Sequence, residues 1–310
     1  MSILIDLNQI MISNLFVNLG SKNYEPVKNV SLPDKKGITV SPTPGQPVAA
    51  TEINEDLIRH MVLNSLRMYH MKFGEKYGSL IICCDNNHYW RKDVFPYYKA
   101  GRKKNRETSG LNWNVIFDSL NKLRDELDVY SPYRVINVPL AEADDLIGVI
   151  AKREHTAEKI LILSGDKDFQ QLQKYPNIEQ FSPIQKHFIV PDNPIEQLRE
   201  QIMVGDFGDG IPNFCSADDC LVKGIRQTPI AKKNLVRWVK ESKPETFCDL
   251  KMLRGYKRNQ NLIDLEYIPK ELQNAIITEW EKPYTETRKH LWDYFVKFKL
   301  DKLAQHLGEF

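Results

Sequence analysis

The stretch Val135-Ile136-Asn137-Val138-Pro139-Leu140-Ala141-Glu142-Ala143-Asp144-Asp145-Leu146-Ile147 runs from a short apolar segment into three acids and then into a helix-period apolar pattern. The same order recurs elsewhere. Ile3-Leu4-Ile5 precedes Asp6, Leu80-Ile81-Ile82-Cys83-Cys84 precedes Asp85, and Ile160-Leu161-Ile162-Leu163 precedes Asp166 and Asp168. Helix-patterned segments separate consecutive strands, which predicts an α/β fold with a doubly wound, mainly parallel sheet. In such a sheet the carboxyl ends of the strands border one crevice where ligands bind. Carboxylates gathered at that rim repel one another unless cations hold them. Oxygen ligands without accompanying His or Cys point to hard divalent ions, Mg²⁺ or Mn²⁺, rather than zinc. The pattern therefore reads as a metal-dependent enzyme acting on phosphate.

The 310 residues allow two ordinary domains, each with its own core. The longest uninterrupted apolar run, 80–84, is too short to span a bilayer, so the expectation is a soluble, cytoplasmic protein without membrane contact. The five cysteines form no disulfide framework and suit a reducing compartment. The net charge of +2 hides a separation of sign. Residues 89–106 hold seven Lys or Arg against one Asp, and residues 222–258 hold eleven against three acids. Basic tracts beside an acidic rim suit a polyanion held by its flanks.

The expected organisation is an α/β domain over 1–200 and a helical region over 201–310, with the boundary near 191–205. Residues 20–51, with five prolines and three glycines, read as a long surface loop. Asn54 caps a helix whose first turn holds Glu55 and Asp56, and Gly74 and Gly78 are expected to end it. Residues 86–112 lack a clean period and read as a conditionally ordered segment above the rim. Residues 178–190 alternate as a hairpin or edge strands.

Three acidic motifs carry the chemistry. For Glu142 and Asp144 to reach one metal cluster, Glu142 must lie before the helix and Asp144 in its first turn, since helical residues two apart do not share a face. Acids that merely complement the helix dipole would explain one or two of the three. In Ser164-Gly165-Asp166-Lys167-Asp168, carboxylates at i and i+2 of an extended segment point the same way, although Gly and Asp are also common turn formers. In Gly205-Asp206-Phe207-Gly208-Asp209-Gly210-Ile211-Pro212 the glycines permit a reversal that returns Asp206 and Asp209 to the rim.

Together these motifs resemble those of the structure-specific 5′ nuclease family, which includes flap endonucleases and the 5′-nuclease domains of bacterial DNA polymerases. The resemblance covers most of the chain. The segment containing Arg91, Lys99 and Arg102 is similar to the family's arch, whose basic residues contact the scissile phosphate. The C-terminal Tyr294-Phe295-Val296-Lys297 and Glu309-Phe310 look closest to the phage ribonuclease H branch. The resemblance implies a PIN-like nuclease domain with a helix–hairpin–helix-type duplex-binding region. It assigns Asp6, Asp85, Glu142, Asp144 and Asp166 to a first Mg²⁺ and Asp168, Asp206 and Asp209 to a second, with Mn²⁺ as a substitute. Lys99, Arg102 and Arg91 would act on the phosphate, and Asp145 ranks below its neighbours as a helix cap. Products would carry a 5′-phosphate and a 3′-hydroxyl.

One departure is visible. The family's Gly-Ile-Gly turn follows Ile-Pro-Gly closely, whereas here Ile211-Pro212-Asn213 is followed by nine residues before Lys223-Gly224-Ile225-Arg226. The missing second glycine leaves the family's potassium site without its usual turn. Gly224, Ile225, Arg226, Lys232 and Lys233 remain candidates for duplex phosphate contact. The implied partners are DNA and RNA–DNA hybrids with free or flapped 5′ ends, and a single-strand-binding protein or sliding clamp, met by a monomer. The competing readings are a PIN-like ribonuclease and an inactive DNA-structure-binding protein. The arch and basic C-terminus argue against the first, and the eight retained carboxylates against the second.

Overall fold

The computed structural model describes residues 1–21, 53–109, 111–285 and 287–310. Its elements in chain order are β1 (Ser2–Asp6), α1 (Leu7–Ser21), α2 (Glu55–Tyr77), β2 (Ser79–Cys83), α3 (Trp90–Val94), α4 (Ala100–Thr108), α5 (Trp113–Tyr130), β3 (Arg134–Ile136), α6 (Ala143–Glu154), β4 (Ile160–Leu163), β5 (Ile178–Ser182) and β6 (His187–Ile189). Helices α7 (Pro194–Val204), α8 (Lys232–Trp238), α9 (Leu250–Ile263), α10 (Lys270–Trp280), α11 (Leu291–Lys297) and α12 (Asp301–Ala304) follow.

The six strands form one sheet in the order β3-β2-β1-β4-β5-β6, parallel except for β6, which runs antiparallel to β5. The four strands expected from the sequence are all present. The chain builds outward from β1 to β3 on one side, then crosses to β4 on the other, so the order reverses between β1 and β4. That switch point is where an open sheet leaves its crevice. Register places the acids at its mouth. Ile5 pairs with Ile82 and Leu163, and Asp6 with Cys83, so Asp85 and Asp166 begin just past the strand ends. Ile3, Leu4, Ile5, Leu161, Ile162 and Leu163 are all 0% exposed, the burial on both faces that a parallel sheet requires.

The chain divides into two compact units, one comprising Met1–Leu7, Phe73–Lys103 and Arg134–Thr285, the other Asn8–Lys72, Lys104–Tyr133 and Glu286–Phe310. The first carries the whole sheet, and residues 191–205 lie inside its third segment. The second is organised around Arg59, which is buried against Glu126 through Nε at 2.6 Å, while the Tyr294 hydroxyl donates to the same carboxylate at 2.7 Å.

Several local expectations change. Asn54 does cap α2, accepting from the Leu57 amide at 3.0 Å. Gly74 lies inside that helix rather than ending it. The stop is Gly78, whose φ of +81° and closeness to the Met1 carbonyl, 2.2 Å from where a Cβ would sit, admit no side chain. Residues 86–112 contain α3 and α4, and α4 buries no residue, so it offers no apolar stripe to read. Residues 22–51 of the expected loop lie outside the described residues. No described helix is long and apolar enough to cross a membrane.

Gly255 of α9 lies against the Phe214 carbonyl, with only 2.0 Å between that oxygen and a Cβ. Gly255→Ala should therefore cost about 1–3 kcal/mol by overpacking. Denaturant unfolding tests this, and an unchanged midpoint would contradict the close approach.

Candidate active site at the sheet rim

Helix α6 begins under tight control. The Asp145 carboxylate accepts from the Glu142 amide at 3.0 Å, from Trp90 Nε1 at 3.2 Å and from Arg91 Nη1 at 3.0 Å. Asp85 Oδ1 accepts from the Ala143 amide at 2.7 Å, which ties the end of β2 to the same helix start. Asp145 is fully buried and, from the third helical position, closes a capping box with Glu142, the N-cap residue. Arg91 departs from expectation. It is 3% exposed, its Nε donates to the Leu262 carbonyl at 2.8 Å, and its Nη1 reaches Glu142 at 2.9 Å. With its donors drawn inward, Arg91 latches α3, α6 and α9 together rather than facing a phosphate.

Lys99 and Arg102 do face the acids. Lys99 Nζ pairs with Glu142 Oε1 and stands 3.9 Å from Asp209, and Arg102, half exposed, pairs with Asp209. The Tyr98 hydroxyl lies 3.1 Å from both Glu142 Oε2 and Asp209 Oδ2, within a side chain 3% exposed. Lys99 adopts a φ of +56° and donates its amide to the Asp209 carbonyl at 2.7 Å. That bond docks the 205–211 loop on the arch.

The loop itself is closed by an Asp206–Ile211 bridge, with amide-to-carbonyl distances of 2.8 and 2.7 Å. Gly205 and Gly210 have φ of +76° and +72°, and a Cβ on either would lie 2.4 or 2.6 Å from a carbonyl oxygen. The reversal expected of these glycines is present, and only glycine fits. On the other side, Gln180 of β5 donates to the carbonyls of Ser164 and Asp166 at 2.9 and 2.7 Å, fixing the turn after β4. Asp166 Oδ1 accepts from the Asp168 amide at 3.0 Å, Gln201 Nε2 donates to Asp168 Oδ1 at 2.5 Å, and Lys167 pairs with Asp206 at 2.8 Å.

The electrostatics show what this crowding costs. Burial first, then Asp166, Asp6 and Glu142, push Asp144 well above the usual carboxylate range, against the pull of Lys99. Burial, and then Asp209 and Asp206, raise Asp166. Burial and Asp166 bring Asp168 from an ordinary 3.8 to about 7. Asp209 goes the other way: despite burial, Lys99 and Arg102 hold it below its ordinary value. Asp6, Glu142, Asp144, Asp166, Asp168, Asp206 and Asp209 thus share one field, and Asp85 supports it from the helix start.

The donor set fits a hard divalent cation: oxygens only, desolvated, and mutually repelling. Among the described residues no three acids are drawn together tightly enough to grip an ion as they stand. Lys99, Arg102, Lys167 and Gln201 occupy carboxylate oxygens instead. From the sequence, Tyr98, like Tyr97, was readable as a ring that stacks on a splayed base or packs within the arch, whereas its hydroxyl bonds Glu142 and Asp209. Nothing in the sequence distinguished Gln201 or Gln180.

Farther along, Gly224 (φ +67°), Ile225, Arg226, Lys232 and Lys233 are exposed. The amides of Gly224 and Ile225 donate inward to the carbonyls of Leu221 and Cys220 at 3.3 and 2.8 Å. They therefore do not offer the phosphate cradle expected of that turn, and the cationic side chains are what remains.

The model of the 5′–3′ exonuclease N-terminal resolvase-like domain matches residues 46–199, and that of the T4 RNase H C-terminal domain matches residues 194–310. The chain belongs to the 5′–3′ exonuclease family, a family of phosphodiester hydrolases. Within it, the ribonuclease H of Enterobacteria phage T4 is 33% identical over 319 residues, covering 99% of this chain and 95% of that protein. The flap endonuclease Xni of Shewanella oneidensis is 29% identical over 138 residues, covering 40% of this chain and 48% of its own length. The fold matches the T5 D15 protein co-crystallized with metal ions, at a TM-score of 0.58 and 13% identity over 99% of this chain and 98% of that one. It also matches the bacteriophage T5 D15 flap endonuclease in a complex with DNA and metal ions, at a TM-score of 0.56 and 12% identity over 100% and 99%.

Two outcomes follow. Between pH 4 and 7 the folded state holds Asp168 protonated where the unfolded chain has lost that proton, so stability of the chelator-treated protein should fall as pH rises through this window. Asp168→Asn should flatten the decline, and pH-dependent thermal melts read both; a flat wild-type profile would contradict the crowding. Asp145→Ala leaves Arg91 buried with a lost partner and should cost about 3–5 kcal/mol, measured by denaturant unfolding. A change below about 1 kcal/mol would assign Arg91 elsewhere.

Proposed function

We propose that this protein is a Mg²⁺-dependent 5′–3′ exonuclease and flap endonuclease with ribonuclease H activity, removing RNA primers and 5′ flaps during DNA replication. The observation that carries the reading is the crowd of desolvated carboxylates at the switch point of the sheet, with Lys99 and Arg102 across it. Asp6, Asp85, Glu142, Asp144 and Asp166 would hold one cation, and Asp168, Asp206 and Asp209 a second. Bound there, such cations would supply activation of a water nucleophile and neutralisation of charge on the leaving oxygen.

The chain's own residues supply the rest. Lys99 and Arg102 are the cations that can exchange a carboxylate partner for a phosphoryl oxygen, stabilising charge that develops there. Tyr98, bonded to Glu142 and Asp209, keeps those two side chains in place while that exchange happens. Arg91 holds the start of the arch to α6 and α9, so Lys99 is delivered from a fixed base.

Residues 201–310 would carry the duplex, with Arg226, Lys232 and Lys233 as sequence-independent phosphate contacts. The substrates are DNA and RNA–DNA hybrids with free or flapped 5′ ends, cut by a monomer in the cytoplasm. A single-strand-binding protein or sliding clamp would be its replication partner.

Cleavage of a 5′-labelled RNA–DNA hybrid and a 5′-flap duplex tests the reading. Release of short 5′ products should require Mg²⁺, stop with chelator, and vanish in Asp144→Ala and Asp166→Ala. Lys99→Ala should lower kcat by about 10²–10³-fold with little change in binding. Tight binding without cleavage under any divalent ion would overturn the assignment.

A further inference from the structure

Phe207 is 78% exposed, the most exposed aromatic side chain among the described residues. Burying such a ring gains free energy, so its display in water calls for a reason. Its place in the chain supplies one: it follows Asp206 directly and precedes Asp209 by two residues, at the tip of the loop that brings both acids to the rim.

The display is not a by-product of a loose segment. The Gly210 amide donates to the Phe207 carbonyl at 3.1 Å, and the Asp209 amide donates to Asp206 Oδ1 at 3.2 Å. Gly210 is held against the Tyr97 carbonyl, where a Cβ would lie at 2.6 Å. The ring is therefore carried on a closed turn docked on the arch. Beside it, exposed Gly208 contributes no side chain that would block a flat ligand.

Half-exposed cations pair with the two acids that bracket Phe207 in the sequence. Lys167 rests on Asp206 and Arg102 on Asp209, with side chains 56% and 50% exposed. A strand whose backbone they attract brings its bases within reach of the only flat apolar group on this loop. Every base offers a π-face to an aromatic ring, so the contact tolerates any sequence.

We propose that the Phe207 ring stacks on a nucleobase adjoining the phosphate held at the carboxylate rim and so fixes the position of the cut along the strand. This rests on the nuclease reading above and adds to it a substrate-contacting residue that sets cleavage register. Loss of one base–aromatic stack weakens binding by about 5- to 150-fold.

The test places 2-aminopurine singly at each base flanking the cut in a 5′-flap duplex and reads its fluorescence in chelator, then maps cleavage with Mg²⁺. Wild type should quench the probe at one position. Phe207→Ala should lose that quench, raise KM about 5- to 150-fold and spread the cut over neighbouring positions, while Phe207→Trp retains quench and register. Equal quenching, KM and register in Phe207→Ala would overturn the proposal. Because quenching is read without turnover, a protein that quenched but cut neither duplex nor hybrid would sink the nuclease reading and leave the stack standing.

Discussion

Repulsion among carboxylates at the sheet rim is the constraint around which the first unit is arranged. Asp144, Asp166 and Asp168 are pushed toward the protonated form by burial and by one another, while Asp209 is held ionised by Lys99 and Arg102. Such crowding in the absence of compensation is costly, and it is tolerated where a site must hold added positive charge. The cations of the arch and Lys167 offset part of it within the protein. The remainder is the electrostatic work left for divalent ions.

Most of the surrounding architecture can be understood as bracing against that repulsion. The sheet brings Asp6 and the turn after β4 side by side through the register of β1 and β4. Gln180 fixes that turn from β5, Asp85 and Asp145 fix the start of α6, and Arg91 joins α6 to α9. Gly205 and Gly210 let the last two acids double back. Each brace is a buried or partly buried hydrogen bond, or a backbone contact, that a substitution would leave unsatisfied or clashing.

Strands β1, β2 and β4 were legible because both faces are buried and the chain spells them as apolar runs, and Asp6, Asp85 and Asp166 because each follows such a run. The reversal at 205–211 was legible from glycines whose conformation no other residue adopts. Other features were hidden for physical reasons. Helix α4 buries no residue and so shows no period. Arg91 sits at arch spacing, but its partner Leu262 lies 171 positions away, and spacing cannot separate a phosphate contact from a buried latch. Gln201 and Gln180 carry no pattern at all. In the 213–228 segment the glycine at 224 was visible, whereas the inward direction of the amides there depends on how the inserted residues close the turn.

Calorimetric titration of the chelator-stripped protein with Mn²⁺ at pH 7, beside Asp166→Ala and Asp206→Ala, tests the central claim most directly. The account predicts two ions bound by the wild type, with affinity or stoichiometry falling in each variant and protons released on binding as Asp168 ionises. Absence of Mn²⁺ binding, or binding indifferent to both substitutions, would contradict it.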